Sequence, residues 1–461
     1  MIDRLDVYID VHGQTVQAGT AFFTQRRGAP VGTVFSYSAT YLALPTAIAI
    51  DPNLPLIGGS QASDRLPGAF QDCAPDRWGR NLIVKRARAL DIEQAGRAPT
   101  LNDVDFLAGV SDFTRQGALR FTLPGSTTFL DSDVTVPKLI ALPHLLHAVD
   151  RLADDENSEE AIKALLDAGS GSLGGARPKA SVIDSGGQLL LAKFPHRNDQ
   201  WDIMAWEKTA LDLAELAGID VPRRRLAGID GRQVLLLERF DRSGDRRIPY
   251  ISAMTLIGGR DGEDHDYADI ATVLCEVGSR VDADLAQLFR RAVLSCAIHN
   301  TDDHLRNHGF LGSAAGWRLS PLFDVNPNPD LSEGRQTSIG TASRAYEEVS
   351  GLLVFASACR LSGDQARAIV TEVLDAIAGW AAVATANNIS AREQGRFRPM
   401  FDDRFDVLAE MARGTSGALL SSKPGGATTD AQGRIPAGTP NGGRFTTKNS
   451  TRPANGSLPT L

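Results

Sequence analysis

Asp302 and Asn307 stand five positions apart in the stretch HNTDDHLRNHGFL, His299 to Leu311, and Asp324 follows 22 residues after that aspartate in LSPLFDVNP. A carboxylate that takes a hydroxyl proton, an amide oxygen one loop turn away and a second carboxylate offering a hard oxygen ligand are what phosphoryl transfer with magnesium requires. The Asp-x-x-x-x-Asn spacing is that of the protein-kinase catalytic loop. Upstream, Lys193 ends the apolar run QLLLAKFP, and Glu207 lies fourteen residues further on in a helical pattern. A lysine projecting from a strand into a cleft can hold the phosphates of a nucleotide, and a helix glutamate can hold the lysine. Taken alone, these two read more simply as an exposed strand-end lysine and a solvated carboxylate.

The same loop admits other chemistry. His299, His304 and His308 are candidate ligands for a transition metal, but H-E-x-x-H is absent, and the i, i+4 pair His304 and His308 is more often a loop with a satisfied histidine. The Gly-rich SGSLGGARPKA from Ser170 could bring backbone N–H groups close to phosphate, with Arg177 and Lys179 adding charge, although a linker turn explains Gly171, Gly174 and Gly175 equally well. It does not match the Walker pattern G-x-x-x-x-G-K-[ST]. The residues by themselves favour phosphoryl transfer over a histidine-metal hydrolase or a polar loop of purely structural purpose, and leave all three open.

The elements that must position these residues follow from periodicity. LDVYIDVHGQTVQAGTAFF reads as two alternating strands around a polar turn, GALRFTL as a later strand, and DRWGRNLIVKRARAL from Asp76 as a helix with Trp78, Leu82, Ile83 and Ala87 on one side. A helical stretch is expected over 137–169. ASVIDSGGQLLLAKFP then suggests a hairpin, IMAWEKTALDLAELAGI a helix closed by Gly218, and RRLAGIDGRQVLLLERFD two strands around Asp230-Gly231. From about Tyr267 the pattern turns helical, with core-facing stripes in DLAQLFRRAVLSCAIHN and DQARAIVTEVLDAIAGWAAVA, while LSPLF reads as a strand leading to Asp324. Strands first and helices afterwards is the organisation of a two-lobed α+β domain with a cleft. Beyond about Ser416 the composition becomes Gly, Pro, Ser, Thr and Asn, which predicts disorder.

Length and composition agree with a large globular chain: 461 residues, 42% hydrophobic, with a net charge of −8 spread diffusely. That balance disfavours a direct grip on nucleic acid outside a complex. No apolar run approaches the roughly 18 to 20 residues of a membrane span, and the charged, strand-like N-terminus is unlike a signal peptide. Cys73, Cys275, Cys296 and Cys359 are far apart, which fits a reducing compartment and small buried apolar side chains.

Six motifs in order, SLGGARPKA, LLLAKFP, the helix carrying Glu207, LLLERFDR, NTDDHLRN and LSPLFDV, resemble the HipA family of serine/threonine kinases, the toxins of bacterial HipBA-type toxin–antitoxin modules. LPGAFQDCAPDRWGRNLI and DFLAGVSDFTRQGALRF are similar to that family's N-terminal subdomain, so the likeness spans roughly residues 1–415. It implies an α+β, two-lobed, protein-kinase-like fold with a helical C-terminal lobe and a small mixed α/β N-terminal subdomain. The expected divisions are an N-terminal subdomain at 1–130, a kinase domain at 131–415 with its smaller lobe at about 165–245 and helical lobe at about 246–415, and a tail at 416–461.

Site roles are implied in the same way. Asp302 resembles the catalytic base, Asn307 a metal ligand, and Asp324 the kinase DFG aspartate, with FDV in place of DFG. Lys193 matches the nucleotide-binding lysine and Glu207 its partner. LLLERFDR looks like the inter-lobe hinge, so that backbone at Glu238 and Phe240 would meet adenine and Asp241 the ribose or its neighbourhood. Lys179 and the backbone of Gly174, Gly175 and Ala176 would approach the phosphates, and His304 joins the ATP-binding set. Ser172 falls where the family is autophosphorylated; a phosphate there adds about −1.5 to −2 charge to a loop that must itself hold ATP phosphates, and should repel the nucleotide. The resemblance implies ATP and Mg2+ as cofactors and a cytoplasmic toxin acting on a Ser/Thr of a cellular protein. A helix-turn-helix, HipB-like antitoxin would restrain it and make most of the contact with operator DNA. A catalytically silent binding protein in such a complex and a small-molecule kinase on the same scaffold are the alternatives.

Overall fold

The computed structural model describes residues 2–24, 31–94, 101–131, 136–170 and 177–414. The chain divides into Met1–Arg413 and Gly414–Leu461, and only Gly414 of the second unit is described. The expected disordered tail at 416–461 and the loop residues Ser172, Gly174, Gly175 and Ala176 lie outside the described residues.

Alternation in the first strand, β1 (Arg4–Val11), buries Leu5, Val7 and Ile9. His12 and Gly13 both take left-handed backbone, φ 51° and 84°, which a two-residue hairpin turn requires before β2 (Gln14–Thr24). With β3 (Gly32–Tyr37), β4 (Ser60–Ser63) and β5 (Leu119–Thr122) these form an antiparallel sheet ordered β4-β3-β2-β1-β5. The helix expected from Asp76 runs Arg77–Gln94. The expected helical stretch over 137–169 is two helices, Leu142–Asp154 and Glu159–Asp167, separated where Asp155 turns to extended backbone.

A second antiparallel sheet, ordered β6-β7-β9-β8, is built from β6 (Lys179–Ile183), β7 (Leu189–Lys193), β8 (Arg224–Ile229) and β9 (Arg232–Glu238). The turn between β8 and β9 is Asp230-Gly231, again both left-handed. Ala180, Val182, Leu190, Ala192, Val234 and Leu236 form one apolar face, packed with Leu145, Leu146, Val149 and Leu165 of the two preceding helices. Because side chains alternate along a strand, Lys179 and Lys193 stand on the opposite face, which Leu235 and Leu237 share. That face meets the helix Ile203–Leu216 and the helical lobe.

The helices expected after Tyr267 are present, among them Tyr267–Val277, Val281–Ala297, Glu348–Ala358 and Ala391–Ala412. The expected single helix through DQARAIVTEVLDAIAGWAAVA breaks at Gly379 into Gly363–Ala378 and Trp380–Ala386, bent by 47°. Glycine at that point weakens the helix and permits the bend. No single helix among the described residues is long and apolar enough to cross a membrane. The expected strand at LSPLF is corrected: strand structure ends at Leu319, and Pro321, lacking an N–H, cannot continue a ladder.

Candidate functional site

Lys193 closes β7 with its ammonium between two carboxylates, donating to Glu207 Oε1 at 2.7 Å and to Asp324 Oδ1 at 2.7 Å. Lys193 is 6% exposed and Glu207 1%, so the simpler reading of two solvated side chains is wrong. Burial disfavours the charge on Lys193, but Asp324 and Glu207 outweigh it and hold the ammonium above its usual range. Burial raises Glu207 in spite of Lys193, whereas for Asp324 burial is outweighed by Lys193, with smaller help from Lys179 and His304, and the carboxyl stays below the usual carboxylate range. Glu207 is placed by its helix: Asp202 caps the N-terminus by accepting from the Ala205 N–H at 3.0 Å, and Trp206 stacks on Phe397 with ring centroids 3.9 Å apart.

The long helix Val281–Ala297 delivers the acidic loop. His299 turns the chain with φ 50°, and two consecutive aspartates then take opposite roles. Asp303 points inward, accepting from Ser295 Oγ at 2.7 Å and from the Tyr267 hydroxyl, with His308 Nε2 2.9 Å away. Burial would raise its pKa, but His308 and Arg335 outweigh it and hold the carboxyl well below the ordinary range. Asp302 is exposed and accepts from Gln336 Nε2 at 2.7 Å. Its pKa is raised, by burial of the carboxyl first and by the nearby Asp324 and Asp303, against the opposing influence of His304. Asn307 Nδ2 donates to the Asp302 carbonyl at 3.0 Å, which fixes the direction of its amide oxygen. Asp324 itself sits in left-handed backbone at φ 56°. The loop histidines do not converge: His299 Nε2 lies 3.0 Å from the Asp330 carbonyl, and His308 belongs to Asp303.

Behind the loop lies a buried charge network. Arg335 donates to Ser295 Oγ at 2.9 Å and to Glu348 at 3.1 Å, and Arg404 of the last helix donates to Glu348 at 3.0 Å. Glu348→Gln leaves two buried guanidinium groups short of their shared counter-charge, and should destabilise the chain by about 3 kcal/mol or more. A urea midpoint unchanged in that variant would show the network to be irrelevant to stability.

Residues 171–381 match the HipA-like C-terminal domain family, and residues 9–121 match the HipA N-terminal domain family. The chain belongs to the HipA family. Among curated relatives, two Sinorhizobium fredii proteins named as kinases are similar to it. Y4mE is 24% identical over 237 residues, covering 45% of this chain and 55% of the relative. Y4dM is 26% identical over 152 residues, covering 30% and 37%. The chain thus spans about half the length of the first and about a third of the second. The Shewanella oneidensis HipA, HipB and operator DNA complex contains a chain that superposes with a TM-score of 0.61 at 13% identity, covering 91% of this chain and all of that one. At that identity the likeness speaks for the fold, which is the two-lobed, kinase-like HipA fold.

Within this HipA fold, other expected site residues have protein partners of their own. The Asp241 carboxylate accepts from Arg239 Nε at 2.8 Å, Arg242 at 2.8 Å and the Gly117 N–H at 2.7 Å, and so ties the N-terminal region to the hinge. Burial would raise it, but the two arginines hold it well below the usual range. A depressed carboxyl contributes stability above its unfolded pKa, near ~4, which is lost as pH falls below that value. The stability gap between the unsubstituted chain and Asp241→Asn should therefore be constant near neutrality and shrink below about pH 4 in urea titrations. At the hinge, the Glu238 N–H already donates to the Arg223 carbonyl at 2.9 Å, and the Phe240 ring packs against Phe323, beside Asp324, at 5.4 Å. Lys179 is 1% exposed and ion-paired with Asp76 of the N-terminal region.

The oxygens of Asp324 and Asn307 are hard donors. Among the described residues no group of three or more His, Cys, Asp or Glu side chains could hold a metal by itself. Magnesium keeps waters and takes one or two carboxylates plus substrate phosphates, so this donor set fits an ion that arrives with a nucleotide. Sequence reasoning missed Asp76, Asp303 and Gln336; only the doubled aspartate of NTDDHLRN hinted that one of the pair is structural.

Proposed function

We propose that the chain is an ATP-dependent serine/threonine-protein kinase of the HipA toxin type. The observation that carries this reading is Lys193 held between Glu207 and Asp324, with Asp302 and Asn307 on the adjoining loop. Magnesium bound through Asn307 and Asp324 would neutralise charge developing on the transferred phosphoryl group. Lys193 orients the nucleotide phosphates, Glu207 keeps the lysine in place, and Asp302 accepts the proton of the attacking hydroxyl. Asn307 holds Asp302 by its backbone carbonyl, leaving its side chain to the substrate. Gln336 is the group that must release that carboxylate when a hydroxyl arrives.

By the same reading the chain is a cytoplasmic toxin that phosphorylates a cellular protein, modifies its own Ser172 and is restrained by a HipB-like helix-turn-helix antitoxin. The net charge of −8 supports leaving operator DNA mainly to that partner. Incubation with Mg-ATP followed by intact-mass and peptide mass spectrometry tests the proposal. Phosphate on Ser172 that disappears in Asp302→Asn supports it. Nucleotide binding without transfer to any protein would instead assign the silent binding module, and transfer confined to small molecules the small-molecule kinase.

A further inference from the structure

Lys179 and Lys193 lie directly opposite one another on β6 and β7, with their side chains on the same face. Like charges in that position disfavour strand pairing unless each is compensated. Lys193 has Glu207 and Asp324; Lys179 has Asp76, whose side chain is 7% exposed. Asp76 comes from outside the kinase lobes, immediately before the helix Arg77–Gln94. Its other oxygen accepts from the Gly79 N–H at 2.7 Å, so the carboxylate is fixed where the helix dipole favours negative charge. Two lysines on adjacent strands are therefore each held by a carboxylate at a helix, Lys193 by Glu207 within one and Lys179 by Asp76 at the start of another, with Asp324 as a second partner of Lys193.

The same stretch of the N-terminal region touches the cleft elsewhere. Asp72 accepts from the Ser252 N–H at 2.6 Å and lies 3.8 Å from Arg306 of the acidic loop. At the stem of the Gly-rich loop, Gly169 has φ 65°, and a Cβ there would meet Thr114 at 2.8 Å. Burial works against both members of the Lys179–Asp76 pair, raising the acid and lowering the base. A buried ion pair of this kind is weak as a stabilising device, since apolar side chains of similar size would serve as well.

We propose that Asp76 is the positioning residue for Lys179, as Glu207 is for Lys193, and that the N-terminal region thereby supplies part of the nucleotide-phosphate site. The inference rests on the kinase reading above. Asp76 keeps Lys179 charged and aimed from β6; it does not itself touch the nucleotide.

The test is a double-mutant cycle in the full chain, with Kd for Mg-ATP and for adenosine measured by calorimetry. Asp76→Asn keeps an acceptor for the Gly79 N–H while removing the charge. It should weaken Mg-ATP binding by about tenfold or more and leave adenosine within about twofold, since adenosine carries no phosphate. Lys179→Gln should do the same, and the double variant should lose no more than either single one, because both act through one ammonium. Mg-ATP affinity unchanged in Asp76→Asn, or two losses that add, would overturn the proposal and reduce the pair to a strut. Melting temperatures accompany each variant, and Asp76→Ser replaces Asp76→Asn if the latter unfolds. If the unsubstituted chain binds adenosine and Mg-ATP equally weakly, the kinase reading falls and this proposal with it, an outcome seen before any variant is made.

Discussion

Asp302→Asn is expected to lower phosphoryl transfer by about 10²- to 10⁴-fold, the usual contribution of a positioned general base, while Mg-ATP affinity stays within about twofold. The split follows from geometry. Asp302 presents an exposed side chain and contributes its backbone carbonyl, not its carboxylate, to the bond with Asn307. The amide variant keeps that carbonyl and can still accept from Gln336, so the loop should hold its shape. Single-turnover transfer and nucleotide titration on the same preparation check both halves. A variant that lost nucleotide binding in parallel with transfer would move Asp302 from base to metal ligand.

Lys193→Met is expected to fail twice. It removes the cation that the proposed kinase reading assigns to the phosphates, and it leaves Glu207, 1% exposed, as an uncompensated carboxyl in the core. The second effect alone should destabilise the chain by about 3 to 5 kcal/mol. The two failures can be separated with Lys193→Met/Glu207→Leu, which takes away the stranded acid. That double variant should recover most of the thermal stability and none of the transfer activity. If it melts as early as Lys193→Met, the loss comes from Asp324 or from packing, and the Lys193–Glu207 pair is not the structural element argued here.

Much of the scaffold was legible because its signals are local. Asp230-Gly231 between alternating runs specifies a hairpin, and the apolar stripe of DLAQLFRRAVLSCA specifies a helix, with no reference to the rest of the chain. The spacing of Asp302 and Asn307 was legible for the same reason, since both lie on one loop. What could not be read were partners brought together over long separations. Lys193 looked solvated because nothing in its neighbourhood announces Asp324, 131 positions away, and Lys179 meets Asp76 across 103. Asp241 has a partner of the same distant kind. Its hinge position suggests ribose or its neighbourhood, and nothing local announces the Gly117 N–H, 124 positions away, that donates to it. The strand assigned to LSPLF failed at Pro321, a breaker visible in the sequence whose weight depends on whether a ladder partner is present.

The left-handed backbone of Asp324 decides which inactive forms of this protein are usable. Asparagine tolerates φ near 56° almost as readily as aspartate, whereas alanine, glutamate or any β-branched residue carries a steric penalty there. By the proposed kinase reading, Asp324→Asn is therefore the replacement expected to silence the chemistry with least disturbance of the peptide path, and Asp324→Ala mixes the two effects. A naturally inert descendant of this chain would be expected to reach its inactivity through Asn or Gly at that position more often than through Ala. Deep mutational scanning for folded but inactive chains would record that bias directly.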